Sequence, residues 1–80
     1  MQTFKELREQ AMLSQNELAR LCAVTSATVY YWESGRTLPR LAQQRKLVEA
    51  LKCTPDELRA ALQATQERRK QRADNERPAA

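Results

Sequence analysis

Eighty residues, 41% of them apolar, set the scale of one small domain with a modest core and little depth for a catalytic cleft. Fourteen Lys and Arg against ten Asp and Glu leave a net charge of +4, split as +2 over residues 1–62 and +2 over residues 63–80, which favours a polyanionic partner. The chain has no histidine and no clustered carboxylates, so no Ser or Cys has an evident base beside it and an enzyme is not expected.

The first helix is predicted over about Thr3 to Ala11, where Phe4, Leu7, Arg8 and Ala11 recur at i, i+3, i+4 and i+7. Its core-facing stripe therefore includes a charge. Ser14, with Glu17 three residues on, is a capping box opening a second helix over about Gln15 to Cys22, with Leu18, Ala19 and Cys22 on one face. After a tight turn Thr25 caps a third helix, about Ser26 to Glu33, whose inner stripe is Val29, Trp32 and again a charge, Glu33. Opposite charges on two core-facing stripes are expected to form a largely buried ion pair, Arg8 with Glu33, tying the first helix to the end of the third. The alternative is that both side chains reach out to solvent.

The other face of the third helix shows Ser26, Ala27, Thr28, Tyr30 and Tyr31, small or flat groups that carry donors but no charge. Such a face suits base edges in a groove. Gly35, the single glycine, ends this helix, and residues 36–40 are expected as an exposed loop. The fourth helix follows from about Arg40 to Leu51, with Pro39 suiting its first turn, Leu41 closing its start, and Leu47, Val48 and Leu51 inward. Thr54, Pro55 and Glu57 read as N-cap, N1 and N3 of a fifth helix with Leu58, Ala61 and Leu62 inward. Past Leu62 the apolar period fades. Residues 65–80, polar on all sides, read as a helical extension or a disordered tail beyond a domain of residues 1–64. The fold class is all-α, a compact bundle of five helices.

Cys22 and Cys53 are far apart, with no second Cys or any His nearby, so no metal site, disulfide or cofactor is expected and both thiols read as small buried apolar groups. No apolar run approaches the ~20 residues that cross a bilayer, and the first ten residues lack a secretory apolar segment. A cytoplasmic location is expected.

Leu7 to Gln10, LSQNELAR at 13–20, Ala23-Val24-Thr25, Thr28-Val29, Trp32-Glu33-Ser34-Gly35, Pro39 and Leu47 through Leu51 together resemble the Cro and phage-repressor helix-turn-helix family, the XRE-like regulators. The resemblance covers about residues 3–62. It implies a five-helix DNA-binding domain acting as a sequence-specific regulator of transcription, usually a homodimer on an inverted repeat, and it implies the Arg8–Glu33 pair as a family feature. Carried over by position, Ser26, Ala27 and Tyr31 are the implied base contacts, with Thr25 and Thr28 beside them. Ser14 and Gln15 stand where the family's second helix meets phosphate, a role that the positive end of a helix suits. Arg36, Thr37 and Arg40 resemble a second phosphate clamp. Tyr30 has two open readings, contact with the DNA backbone or packing against the loop at Arg36.

The reading face has no Arg, Asn or Gln for bidentate base contacts, so discrimination is expected from hydroxyls, the Ala27 and Thr methyls and two rings, with a preference for thymine methyls near Ala27. The family places glycine where this chain has Met12, Ala23 and Lys52, each just past a helix. A left-handed cap on such residues costs on the order of 1 kcal/mol, so the chain either accepts that strain or caps differently. Gln44 stands where the family's fourth helix shows an apolar residue. The leading expectation is a repressor of its own or a neighbouring operon, dimeric on half-sites about 10 to 10.5 bp apart or a multiple. The second is an antitoxin-like interaction module that captures a protein partner through residues 63–80.

Overall fold

Five helices, α1 (Phe4–Gln10), α2 (Gln15–Leu21), α3 (Ser26–Glu33), α4 (Leu41–Leu51) and α5 (Pro55–Glu76), make up the regular structure of residues 2–76, which the computed structural model describes, with side-chain surroundings through residue 72. No strand occurs among the described residues. The boundaries follow local chemistry. Thr3, Ser14 and Thr54 each accept the N3 backbone N–H while the N3 glutamate, Glu6, Glu17 or Glu57, accepts the cap's own N–H. Thr25 caps α3 through Thr28 N–H alone. Each such cap is worth roughly 1 kcal/mol.

The helix ends share one device. Met12, Ala23 and Lys52 adopt left-handed φ angles of 59°, 57° and 52°, and Gly35 one of 78°. The N–H of the next residue then bonds a carbonyl five residues back: Leu13 to Arg8, Val24 to Ala19, Arg36 to Tyr31 and Cys53 to Val48. The three non-glycine residues accept the strain that the sequence poses. What offsets it is visible, since Leu13, Val24 and Cys53 pack against the core directly after the strained residue.

The core is a single cluster. Phe4, Leu18, Cys22, Val29 and Leu47 are fully buried, Leu58 nearly so, and the Phe4 and Trp32 rings meet edge to face at 6.1 Å. These are the residues placed inward by helical spacing, with Leu7, Ala19, Leu51, Ala61 and Leu62 completing the cluster and Val48 half-buried beside it.

Three expectations are corrected. Leu41 does not close the start of α4 but is 69% exposed, whereas Pro39, expected in an exposed loop, is buried. Helix α4 begins at Leu41 with Arg40 as N-cap, so Pro39 lies before the helix and not in its first turn. The third correction concerns the end of the core, which runs past Leu62. Ala64 and Thr65 are buried, and α5 continues unbroken to Glu76, about 33 Å in all. Thr65 is built in on both sides: its hydroxyl donates to Ala61 O at 2.8 Å and accepts Phe4 N–H at 2.9 Å, satisfying an orphan donor at the start of α1. Residues 65–76 lie within α5, and residues 77–80 lie outside the described residues.

Candidate nucleic-acid interface

Helices α2 and α3 pack closely through Leu18, Ala19, Cys22, Val29 and Trp32, which fixes the direction in which α3 presents its other side. The inner anchor is ionic. Arg8 Nε donates to Glu33 Oε1 at 2.7 Å, and the two side chains are 11% and 6% exposed. Gln15 Nε2 donates to Glu33 Oε2 at 2.8 Å, and an Arg8 terminal nitrogen donates to Leu13 O at 2.7 Å. One carboxylate thereby ties α1, α2 and α3. Turned inward and paired, Glu33 puts no negative charge on the outer face.

That outer face is open. Thr25, Ser26, Ala27, Tyr30 and Tyr31 are exposed and Thr28 is half-buried. Thr25 Oγ1 accepts Thr28 N–H at 3.2 Å and lies 3.0 Å from Thr28 Oγ1, so one of the two hydroxyls donates to the other and one keeps a hydrogen for an external acceptor. Tyr30 and Tyr31 stand ring edge to ring face at 5.9 Å. The Arg36 guanidinium lies over the Tyr31 ring, 5.5 Å from its centre, so it is Tyr31 and not Tyr30 that packs against the loop cation. The Tyr31 carbonyl accepts from Arg36 N–H at 3.0 Å, Thr37 N–H at 3.4 Å and Ser34 hydroxyl at 3.1 Å. The loop that carries Arg36 and Thr37 is thus fastened to the last turn of the same helix that carries the open face.

Phosphate-type donors stand on both flanks. At the α2 start Ser14 is exposed, and its oxygen accepts Glu17 N–H at 3.1 Å. The Glu17 carboxyl is held below its ordinary range by the Ser14 N–H and hydroxyl. Gln15 is half-buried with its amide turned to Glu33, so its offer to an anion is chiefly the backbone N–H at the first turn of α2. On the other flank Arg36, Thr37 and Arg40 are exposed. Arg40 makes no side-chain cap on α4, and no acid stands in that helix's first turn. Gln44 is half-buried and donates to Pro39 O at 3.0 Å, which ties this loop to the first turns of α4.

A cavity of about 620 Å³ between the C-terminal ends of α1, α2 and α4 is lined by Leu7, Met12, Leu21, Leu51 and Cys53 with Glu57 at its side. Burial pushes the Cys53 thiol up, and the Glu57 charge adds to that, the reverse of nucleophile activation. Among the described residues no group of His, Cys, Asp or Glu is placed to hold a metal, and no helix is long and apolar enough to cross a membrane.

Two features escape the sequence reading. Thr65 gives a signal only in retrospect, as Ala61, Ala64 and Thr65 continue the spacing of a small-residue stripe. The other is the placement of Arg68, Arg69 and Arg72 of α5 beside Lys5 of α1 at the end of α3.

No curated protein and no solved structure matches the chain. A family model described as a helix-turn-helix domain matches residues 2–62, the segment that holds the ion-paired core, the α2–α3 pair and both flanks of the open face. With that geometry and that match, the chain belongs to the helix-turn-helix domain family.

Proposed function

We propose that this protein is a sequence-specific DNA-binding regulator of transcription that lays α3 in the major groove of an inverted-repeat operator, binding as a homodimer and acting as a repressor. The observation that carries the reading is the exposed, uncharged face of Ser26, Ala27 and Tyr31 held between two flanks of hydrogen-bond donors and cations. Base contacts fall to Thr25, Ser26, Ala27, Thr28 and Tyr31. Phosphate contacts fall to Ser14, Gln15, Tyr30, Arg36, Thr37 and Arg40. The flanks fix register and the face between them reads sequence.

Membership of the helix-turn-helix family supports DNA binding. The energetics agree: the reading helix is held by a buried ion pair and a fastened loop, so little of its order has to be created on binding. A cytoplasmic, nucleoid-associated location follows from this role. Selection of bound duplexes from a random pool tests it, with a palindromic consensus expected; enrichment of no sequence contradicts specific recognition. The antitoxin-like reading draws on the long α5, and deletion of residues 66–80 separates the two, because operator selectivity survives that deletion if bases are read by α3.

A further inference from the structure

Helix α5 does not end where its apolar stripe ends. Beyond Thr65 it is polar on every side, so it offers no seam for another helix, and its inner stripe continues as Arg68, Arg69 and Arg72. The stripe has a definite neighbour. A Cβ built on Gly35 would stand 3.1 Å from Thr65 O and 3.3 Å from Arg69 Cβ, so α5 lies directly on the turn whose next residue is Arg36. Lys5 from α1 joins Arg68, Arg69 and Arg72 around an open cleft of about 200 Å³ beside Ser34 and Glu33, the latter's carboxylate being engaged by Arg8 and Gln15. Glu6 is close enough to Arg68 to feel its charge. No carboxylate among the described side chains forms an ion pair with Lys5, Arg69 or Arg72.

We propose that Lys5, Arg69 and Arg72 form a second phosphate-backbone contact, by which the α5 extension grips duplex flanking the bases read by α3. The inference rests on the DNA-binding reading and extends its footprint. Continuity of the cations with Arg36 favours an extended polyanion, whose charges repeat along its length. The cleft is poorly suited to a small enclosed anion, because Ser34 sits at the C-terminal, negative end of α3.

The test is the salt dependence of binding of the full chain to a mixed-sequence duplex, followed by fluorescence anisotropy. Removing one cation from a phosphate lowers the slope of log K against log salt by about 0.9. K5Q/R69Q/R72Q is expected to lower the slope by about 2 to 3 and to weaken low-salt binding by on the order of tenfold or more. The charge-keeping R69K/R72K variant should retain the wild-type slope. Should K5Q/R69Q/R72Q fail to fold by circular dichroism, K5Q/R72Q spares the Arg69 approach to Gly35 and should lower the slope by about 2. If the wild type binds duplex and the folded glutamine variants keep its slope, the α5 contact is wrong while the DNA-binding reading stands. If the wild type binds no duplex, both fall. Displacement of duplex by inorganic phosphate beyond the effect of chloride at equal ionic strength, abolished in the glutamine variants, would assign the cleft to a small anion and overturn the contact.

Discussion

Arg8 and Glu33 meet at 2.7 Å between helices that are far apart in sequence, each with about a tenth or less of its side chain in solvent. Removing one partner strands the other charge, at a cost of about 3–5 kcal/mol, a large share of what a domain this size holds in reserve. Arg8→Met and Glu33→Leu are each expected to lower stability by about that amount in urea unfolding. The double variant should recover much of the loss, because no buried charge then lacks its partner. Additive losses would show that the pair is not coupled.

Gly35 and Lys52 test the helix ends in opposite directions. At Gly35 the left-handed φ and the approach of α5 both disfavour a side chain, so Gly35→Ala is expected to destabilise by about 1–2 kcal/mol. Lys52 is exposed and strained, and Lys52→Gly should stabilise by roughly 0.5–1 kcal/mol. In a domain this size that is a rise of several degrees in Tm by calorimetry, and a fall would show that the cap carries no strain.

Thr65→Val keeps the shape of the buried side chain and deletes the acceptor for Phe4 N–H. A loss of about 1–3 kcal/mol is expected, with faster amide exchange at Phe4. Unchanged stability would mean that the N–H of α1 is satisfied by water.

Burial raises both thiols, and Cys22 is wholly buried where Cys53 is half-buried. A thiol harder to ionise in the folded chain than in the unfolded one contributes stability that is present below the ordinary thiol value of about 8.5 and lost as pH rises through the folded value. Stability should therefore decline on the alkaline side, less so in Cys22→Ala once its own packing loss is allowed for. Alkylation near neutral pH should reach Cys53 before Cys22. Equal rates would show opening of the core.

Much of this structure was legible residue by residue. The caps at Ser14, Thr25 and Thr54 and the inward stripes follow from spacing, and the Arg8–Glu33 pair follows because two charges of opposite sign interrupt two apolar stripes. Long-range contacts were less so. Nothing local to Thr65 tells that it will meet Phe4, and the small side chains of Ala61 and Ala64, which let α5 approach α1, lower the apolar signal that periodicity needs. Leu41 misled for the converse reason: it is apolar at a helix start, yet it lies on the solvent side of α4. The left-handed residues 12, 23 and 52 are fixed by the burial of Leu13, Val24 and Cys53 after them, which depends on the assembled core.

Ala27 gives a chemical test of groove reading. If its methyl meets a thymine methyl, replacing that thymine by uracil in the selected duplex should cost about 1 kcal/mol or more in wild-type binding and much less in Ala27→Gly. Equal losses in the two proteins would place the methyl elsewhere.

The most direct measurement is a map of amide chemical shifts in the full chain titrated with its selected duplex. The expected result is a set of perturbations concentrated at residues 14–16, 25–28, 30–31, 36–38 and 40, with a second, weaker set around residues 5, 69 and 72 from the α5 contact. Perturbations centred on the cavity of Met12, Leu21 and Cys53, with residues 25–31 unmoved, would contradict the assignment of α3 as the reading element.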